Sequence, residues 1–177
     1  MKLPEVILYI ACSLDGYIAT AAHGLDWLTR FETPEEDYGY QAFYQSVDAL
    51  LLGSGTYEQM PKLGPWPYAG KPCWVFSRRR LHIEQPDVTL TDQDPETVLQ
   101  EIVQRGLKRA WLVGGGKLIA SFRARALITE YIISIIPVIL GAGIPLFVPP
   151  GPVETLRSIE TRTYASGLVQ LHHRPVG

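Results

Sequence analysis

The chain has 177 residues, 46% of them hydrophobic and 19% charged, with a formal net charge of -2. That length suits one domain, 1–177, with a full core and room for a single large sheet. The balanced charge argues against nucleic acid or an anionic membrane surface as a partner.

Val6–Cys12 (VILYIAC) opens the chain as an apolar run of β-formers, the pattern of a central strand buried on both faces. Ahead of it stand one lysine and Glu5, with no long apolar core, so no signal peptide is expected. Ser13-Leu14-Asp15-Gly16 has turn chemistry, and Tyr17-Ile18-Ala19 follows it. His23–Thr33 reads as a loop carrying Trp27. Thr33-Pro34-Glu35-Glu36 offers a capping hydroxyl, a first-turn proline and acids for the dipole. It predicts a helix from there to Ser46, with Asp37 on its first turns and Tyr40, Phe43, Tyr44 and Val47 facing inward.

Ala49–Leu52 is a second short strand. It stops at Gly53-Ser54-Gly55-Thr56, ahead of a helix at Tyr57–Met60 that Thr56 could cap unless it touches a phosphate. Leu63–Lys71, rich in Pro and Gly, is a surface loop holding Trp66. Cys73–Ser77 is a strand ending in Arg78-Arg79-Arg80. A hydroxyl and arginines at a strand end can hold a phosphate monoester, and an exposed basic turn is the plainer alternative. Val88–Leu90 is a short strand. Asp94-Pro95-Glu96 starts a helix with an apolar stripe of Val98, Leu99, Ile102 and Val103, closed by Gly106.

Ala110–Lys117 (AWLVGGGK) is an apolar strand, a turn of Gly114, Gly115 and Gly116, and then a helix to about Arg125. Glycines leave no Cβ in a ligand's way, and a helix N-terminus offers free N–H groups to an anion. A pyrophosphate cradle and a turn with no ligand are both compatible with these residues. The dinucleotide pattern would need glycine at Ile119. The phosphate loop would need glycine at Trp111 and a hydroxyl residue at Leu118.

After Thr129 the chain turns to strands. Tyr131–Ile136 is interrupted by Pro137, Leu140–Pro145 is a loop, and Thr155–Tyr164 and Leu168–His173 form a hairpin through Ala165-Ser166-Gly167. Tyr131–Leu140 is too short to span a bilayer, which takes about 20 apolar residues. The fold expected is three-layer α/β/α, with a mostly parallel central sheet and a C-terminal antiparallel hairpin. Cys12 and Cys73 both lie in apolar runs and read as buried free thiols of a cytoplasmic protein. His172 and His173 face opposite sides of a strand, and no metal site is expected.

Five stretches in order carry a resemblance: SLDGYIA (13–19), LLLGSGTYE (50–58), VFSRR (75–79), WLVGGGKLI (111–119) and ITEYIISIIPVILGAGIPLF (128–147). Together they resemble the dihydrofolate reductase-like superfamily, and most of all the branch holding the reductase domain of the bifunctional riboflavin-biosynthesis deaminase–reductase. No deaminase portion accompanies them. The resemblance implies a reductase using NADPH, with NADH as the other candidate. On that implication Ala11, Cys12 and Ile18 border the nicotinamide. Gly114, Gly115, Gly116 and Lys117 form the pyrophosphate turn. Gly53, Ser54 and Thr56 match a glycine-led segment beside it, and Ser77 and Arg78 match the strand end that holds the adenosine phosphate. Four positions depart from the pattern. Ser54-Gly55 stand where the family often has Arg-Lys, Thr129 replaces an Asp ahead of Glu130, and Gly114 stands where riboflavin-type reductases carry Glu.

The activity implied is hydride transfer to a C=O or C=N carbon of a small pteridine- or pyrimidine-like substrate. A carboxylate near the pocket is then expected. Asp37, on the helix after the first strand, and Asp15, in the loop over the nicotinamide, are the catalytic candidates. Trp27, Tyr40 and Trp66 could wall a planar substrate or simply pack. The expected assembly is a homodimer, for which the apolar Tyr131–Phe147 region and the late hairpin could build the interface, with ordinary core packing the alternative for the same residues. A nucleotide-binding protein without turnover, dihydrofolate reductase proper, and a structural dimer with an emptied site are the alternatives.

Overall fold

The structure, a computed structural model, describes residues 2–177. The apolar runs form six parallel strands: Glu5–Ser13 (β1), Ala49–Gly53 (β3), Cys73–Phe76 (β4), Val88–Thr91 (β5), Arg109–Gly114 (β6) and Glu130–Ile136 (β7). Leu156–Thr163 (β9) and Val169–Pro175 (β10) close the sheet as an antiparallel hairpin, in the order β5-β4-β3-β6-β1-β7-β10-β9. Tyr17–Ala19 (β2) pairs with Ile144–Pro145 (β8) in a separate ribbon. The helices are Asp26–Thr29 (α1), Tyr40–Ser46 (α2), Ser54–Leu63 (α3), Pro95–Gln104 (α4) and Gly116–Arg123 (α5). Among the described residues no helix is long and apolar enough to cross a membrane.

Alternation along β1 divides the core. Val6 and Leu8 pack with Val98, Leu99 and Ile102 of α4 and with Ile119 and Phe122 of α5. Ile7 faces the other way, onto Phe43 of α2 and Tyr57 of α3. The sheet is therefore covered on both faces, the layered arrangement expected of alternating strands and helices. Asp94 caps α4 by accepting from the Thr97 N–H at 3.0 Å, as its sequence predicts.

Four local expectations are corrected. Residues 33–36 form a turn closed by a bridge between Thr33 and Glu36, and the helix begins only at Tyr40. Thr-Pro-Glu-Glu suits a turn with proline in its second place as well as a helix start. Tyr38 (φ 54°) and Gly39 (φ 79°) then take left-handed conformations that no helix continues through. Asp37 accordingly precedes α2 rather than riding on it. Trp27 lies on the short helix α1, not in a loop. α3 starts at Ser54, three residues before Tyr57, with Gly53 as its N-cap, so Thr56 is a helix residue and not the cap. The supposed loop at 140–145 contains β8.

Candidate functional site

The two strand–glycine–helix junctions lie back to back at the carboxyl ends of the neighbouring strands β3 and β6, where open parallel sheets place their ligands. A β-carbon on Gly53 would lie 3.4 Å from the Gly115 nitrogen, and one on Gly115 would lie 3.3 Å from Thr56 Oγ1. Gly114 has φ 131°, a conformation that favours glycine. Neither Gly53 nor Gly115 receives a side-chain cap, so the first N–H groups of α3 and α5 have no side-chain acceptor at the cap. Both are helix N-termini, with donors and the positive dipole end directed at the same turn. The sequence-predicted residues Gly53, Ser54, Thr56, Gly114, Gly115, Gly116 and Lys117 are thus brought together. The donor set fits the pyrophosphate of a dinucleotide: amides, a hydroxyl and an exposed cation, Lys117.

Ser77 and Arg78 stand at the end of β4, two strands away from β6 across β3. Ser77 Oγ accepts from the Arg79 N–H at 3.0 Å and donates to the Arg79 carbonyl at 2.9 Å. Arg79 is engaged with Glu58 of α3 at 2.7 Å. Arg78 is exposed and enters none of the ion pairs among the described residues, which leaves its guanidinium available to an anion.

On the α2 side of the sheet lies a cleft of about 410 Å³. β1 joins it to the glycine turn, because Ile10 Cδ1 would lie 3.6 Å from a β-carbon on Gly114 while the next residue, Ala11, lines the cleft. Tyr9, Tyr38 and Tyr40 form aromatic walls, Glu32, Glu36 and Asp37 add carboxylates, and Ser134 and Ile136 come from β7. The walls are braced. Tyr9 stacks on Phe43 with ring centroids 4.1 Å apart, and Tyr38 donates its hydroxyl to the Phe31 carbonyl at 2.8 Å. Burial pushes the Tyr9 phenol up to about 12, so it stays protonated. Gln170 Nε2 donates to Ser134 Oγ at 3.2 Å.

The two predicted carboxylates have different surroundings. Asp37 lines the cleft. Its oxygens accept from the N–H groups of Gln41 at 3.0 Å and Gly39 at 2.9 Å, and these amides hold its carboxyl below the usual range. Asp15 is not part of the cleft lining. It accepts from the Ser13 hydroxyl at 2.6 Å and from the N–H groups of Leu140 and Gly141 at 3.1 and 2.8 Å, tying the first turn to the loop after β7. Cys12 is buried and Ile18 half-buried against the core on the α4–α5 side, opposite Ala11.

Of the three proposed aromatic walls only Tyr40 lines the cleft. Trp27 is buried in the cluster of Ile136 and Leu168 behind it, and Trp66 packs on Tyr57 and Tyr68. Sequence reading missed Tyr9, Tyr38, Glu32, Glu36 and Ser134. Tyr9 could have been found, because it shares the strand face of Ala11 two residues later. Ser134 could be found only from the pairing of β7 with β1, which sets it opposite Ala11.

The model of the RibD C-terminal domain family matches residues 4–170. The protein YwjB of Bacillus subtilis strain 168 is 39% identical over 170 residues, covering 96% of this chain and 97% of that protein. A Shewanella sp. PV-4 protein attributed to riboflavin biosynthesis superposes with a TM-score of 0.89 at 29% identity, over 98% of this chain and 99% of its own. The Thermotoga maritima diaminohydroxyphosphoribosylaminopyrimidine deaminase/5-amino-6-(5-phosphoribosylamino)uracil reductase shares the fold, with a TM-score of 0.74 at 18% identity over 98% of this chain and 57% of its own.

Proposed function

The chain belongs to the RibD C-terminal domain family, and on that premise we propose that it is an NADPH-dependent reductase of a small pteridine- or pyrimidine-like substrate. The observation that carries this reading is the meeting of the two glycine junctions beside β1, with an aromatic cleft on the other side of the same strand. NADPH, when bound, supplies a hydride for a C=O or C=N carbon. The amides opening α3 and α5, the Thr56 hydroxyl and Lys117 hold its pyrophosphate, and Ser77 and Arg78 hold the adenosine-side phosphate. Ala11, Cys12 and Ile18 border the nicotinamide. The residues of the cleft position the substrate and exclude water, the main protein contribution to such a transfer.

Reduction also needs one proton on the neighbouring heteroatom. The amides of Gln41 and Gly39 keep Asp37 ionised. Asp37 therefore accepts a substrate N–H or orients a water, and does not store that proton at neutral pH. Asp15 acts at a distance, by fixing the turn that carries Ile18. The buried free thiols Cys12 and Cys73 suit a reducing cytoplasm. Exposed Ile139 and Phe147 support pairing of two copies through the 131–147 region.

The test is a titration of the protein with NADPH and then NADH, followed by nicotinamide fluorescence and thermal shift. Saturable binding, tighter for NADPH, is expected, because Ser77 and Arg78 compensate for Ser54-Gly55. No binding of either at about 1 mM overturns the reading.

A further inference from the structure

We propose that Glu58 sets how strongly this protein prefers NADPH to NADH, by withholding Arg79 from the cofactor's 2′-phosphate. This rests on the reductase reading and adds a specificity-determining residue to its cofactor site. Arg78, Arg79 and Arg80 follow β4 in sequence, and among the described residues Arg79 alone of the three enters an ion pair. Its guanidinium meets Glu58 of α3 twice, Nη2 to Oε2 at 2.7 Å and Nη1 to Oε1 at 3.3 Å. Arginine grips a phosphate with the same fork, so the carboxylate occupies donors that a phosphate would need. Among the described residues no other ion pair engages Glu58. Lys62, one turn further along α3, donates instead to Gln59 Oε1 at 3.2 Å.

The pair stands where it bears on the cofactor. Ser77 Oγ bonds both the N–H and the carbonyl of Arg79, and the Ser77 N–H donates to the Thr91 carbonyl at 2.8 Å. The turn carrying Arg78 and Arg79 is thereby fixed to β5. Glu58 comes four residues after Ser54, on the same face of α3 and about 6 Å along the axis from the residue that opens the pyrophosphate cradle. Ser54 and Gly55 bring no cation there. The hydrogen bond from Arg79 holds the Glu58 carboxyl below the usual range, so it is ionised at neutral pH. Two arrangements are open to bound NADPH, and Glu58 weakens binding in both. If Arg79 stays on Glu58, the 2′-phosphate is left to Arg78. If Arg79 moves to the phosphate, Glu58 is left uncompensated beside a second anion. NADH carries a neutral hydroxyl in that place and is indifferent to either. The side chains are exposed, 64% at Arg79 and 40% at Glu58, so the effect is a few fold and not orders of magnitude.

The experiment measures the Kd of NADPH and of NADH by nicotinamide fluorescence, for the protein and for Glu58→Gln, Arg79→Gln and the double variant. Glu58→Gln should raise NADPH affinity about three- to fivefold, and Arg79→Gln, which strands the carboxylate, should lower it about threefold. The double variant should return to within about twofold of the unaltered protein. NADH should change by less than about twofold throughout, and the NADPH gain should shrink in about 0.5 M NaCl, where exposed charges are screened. Glu58→Ala, which removes the acceptor as well as the charge, should give the same gain as Glu58→Gln. A pair that merely braces the turn would move both cofactors together and leave their ratio fixed, and that result overturns the proposal. So does a gain absent from both Glu58 variants, or one that survives in the double variant. Both cofactors bound with an unchanged ratio removes this proposal and leaves the reductase. Neither cofactor bound at about 1 mM removes the reductase reading and this one with it.

Discussion

Thr56 Oγ1 lies 3.3 Å from the point a β-carbon on Gly115 would occupy, so the two glycine junctions are closely fitted to each other. Gly115 itself has φ -91°, which any residue adopts, so alanine there is opposed by contact alone. Gly115→Ala should fold with a loss of about 1 kcal/mol. NADPH affinity should fall at least about tenfold, or 1.4 kcal/mol, because the new methyl intrudes on the cradle. Adding Thr56→Ala relieves the contact, so thermal stability should return while affinity does not. Recovery of both would mean that the turn only packs and holds no phosphate.

Gly143 shows the opposite case. Its φ is 158°, and a β-carbon there would lie 2.3 Å from the Ala19 carbonyl oxygen, across the β2–β8 ribbon. Backbone cannot yield as a side-chain tip does. Gly143→Ala should cost about 2–3 kcal/mol in urea denaturation. Gly141, with φ 75° and nothing within 4 Å of a β-carbon, is the control. Gly141→Ala meets only the left-handed penalty, about 1 kcal/mol. Equal losses at the two sites would mean that the ribbon does not hold Gly143 in place.

Asp15 links the first turn to the loop after β7, and its carboxyl is held below the usual range by the Ser13 hydroxyl first and then by the Leu140 and Gly141 amides. A depressed folded value contributes stability above the unfolded value, about 3.9, which is lost as pH falls through the folded one. Asp15→Asn should therefore lower stability at neutral pH and flatten the acid limb below about pH 4. The Leu140 and Gly141 amides should exchange faster. An unchanged acid limb would show that this carboxylate is solvated rather than bonded.

The sheet was legible because apolar runs bounded by glycine and proline leave few alternatives. Val6–Cys12 and Ala110–Gly114 both become buried central strands. The glycine junctions were legible for the same reason, but their meeting was not, since only the order β3-β6-β1 sets them side by side. The cleft was harder. Its walls come from β1, the 31–40 segment, β7 and Leu168, which are remote in sequence, and residues 33–39 offered a helix signal that positive φ at Tyr38 and Gly39 overrides. Asp15 and Asp37 both look like turn acids in sequence. Only their partners separate a loop tie from a cleft acceptor.

Cys12 and Cys73 carry the last prediction. Burial pushes their thiols from an ordinary 9.0 up to about 11 and about 12, with Asp15 adding to the rise at Cys12. Both should resist a disulfide reagent at about pH 8 in the native protein and react fully once it is unfolded, since the thiolate is the reactive form. The same shifts act on stability. The folded state keeps these protons when the unfolded chain releases them, so stability is complete below the ordinary value. It declines as pH rises from about 9 toward the folded values. The buried phenol of Tyr9, raised to about 12, acts in the same direction at higher pH. Cys73→Ala should therefore reduce the alkaline slope of stability while leaving the acid limb untouched. Rapid native labelling of either thiol would show that its strand opens locally far more often than a core strand should.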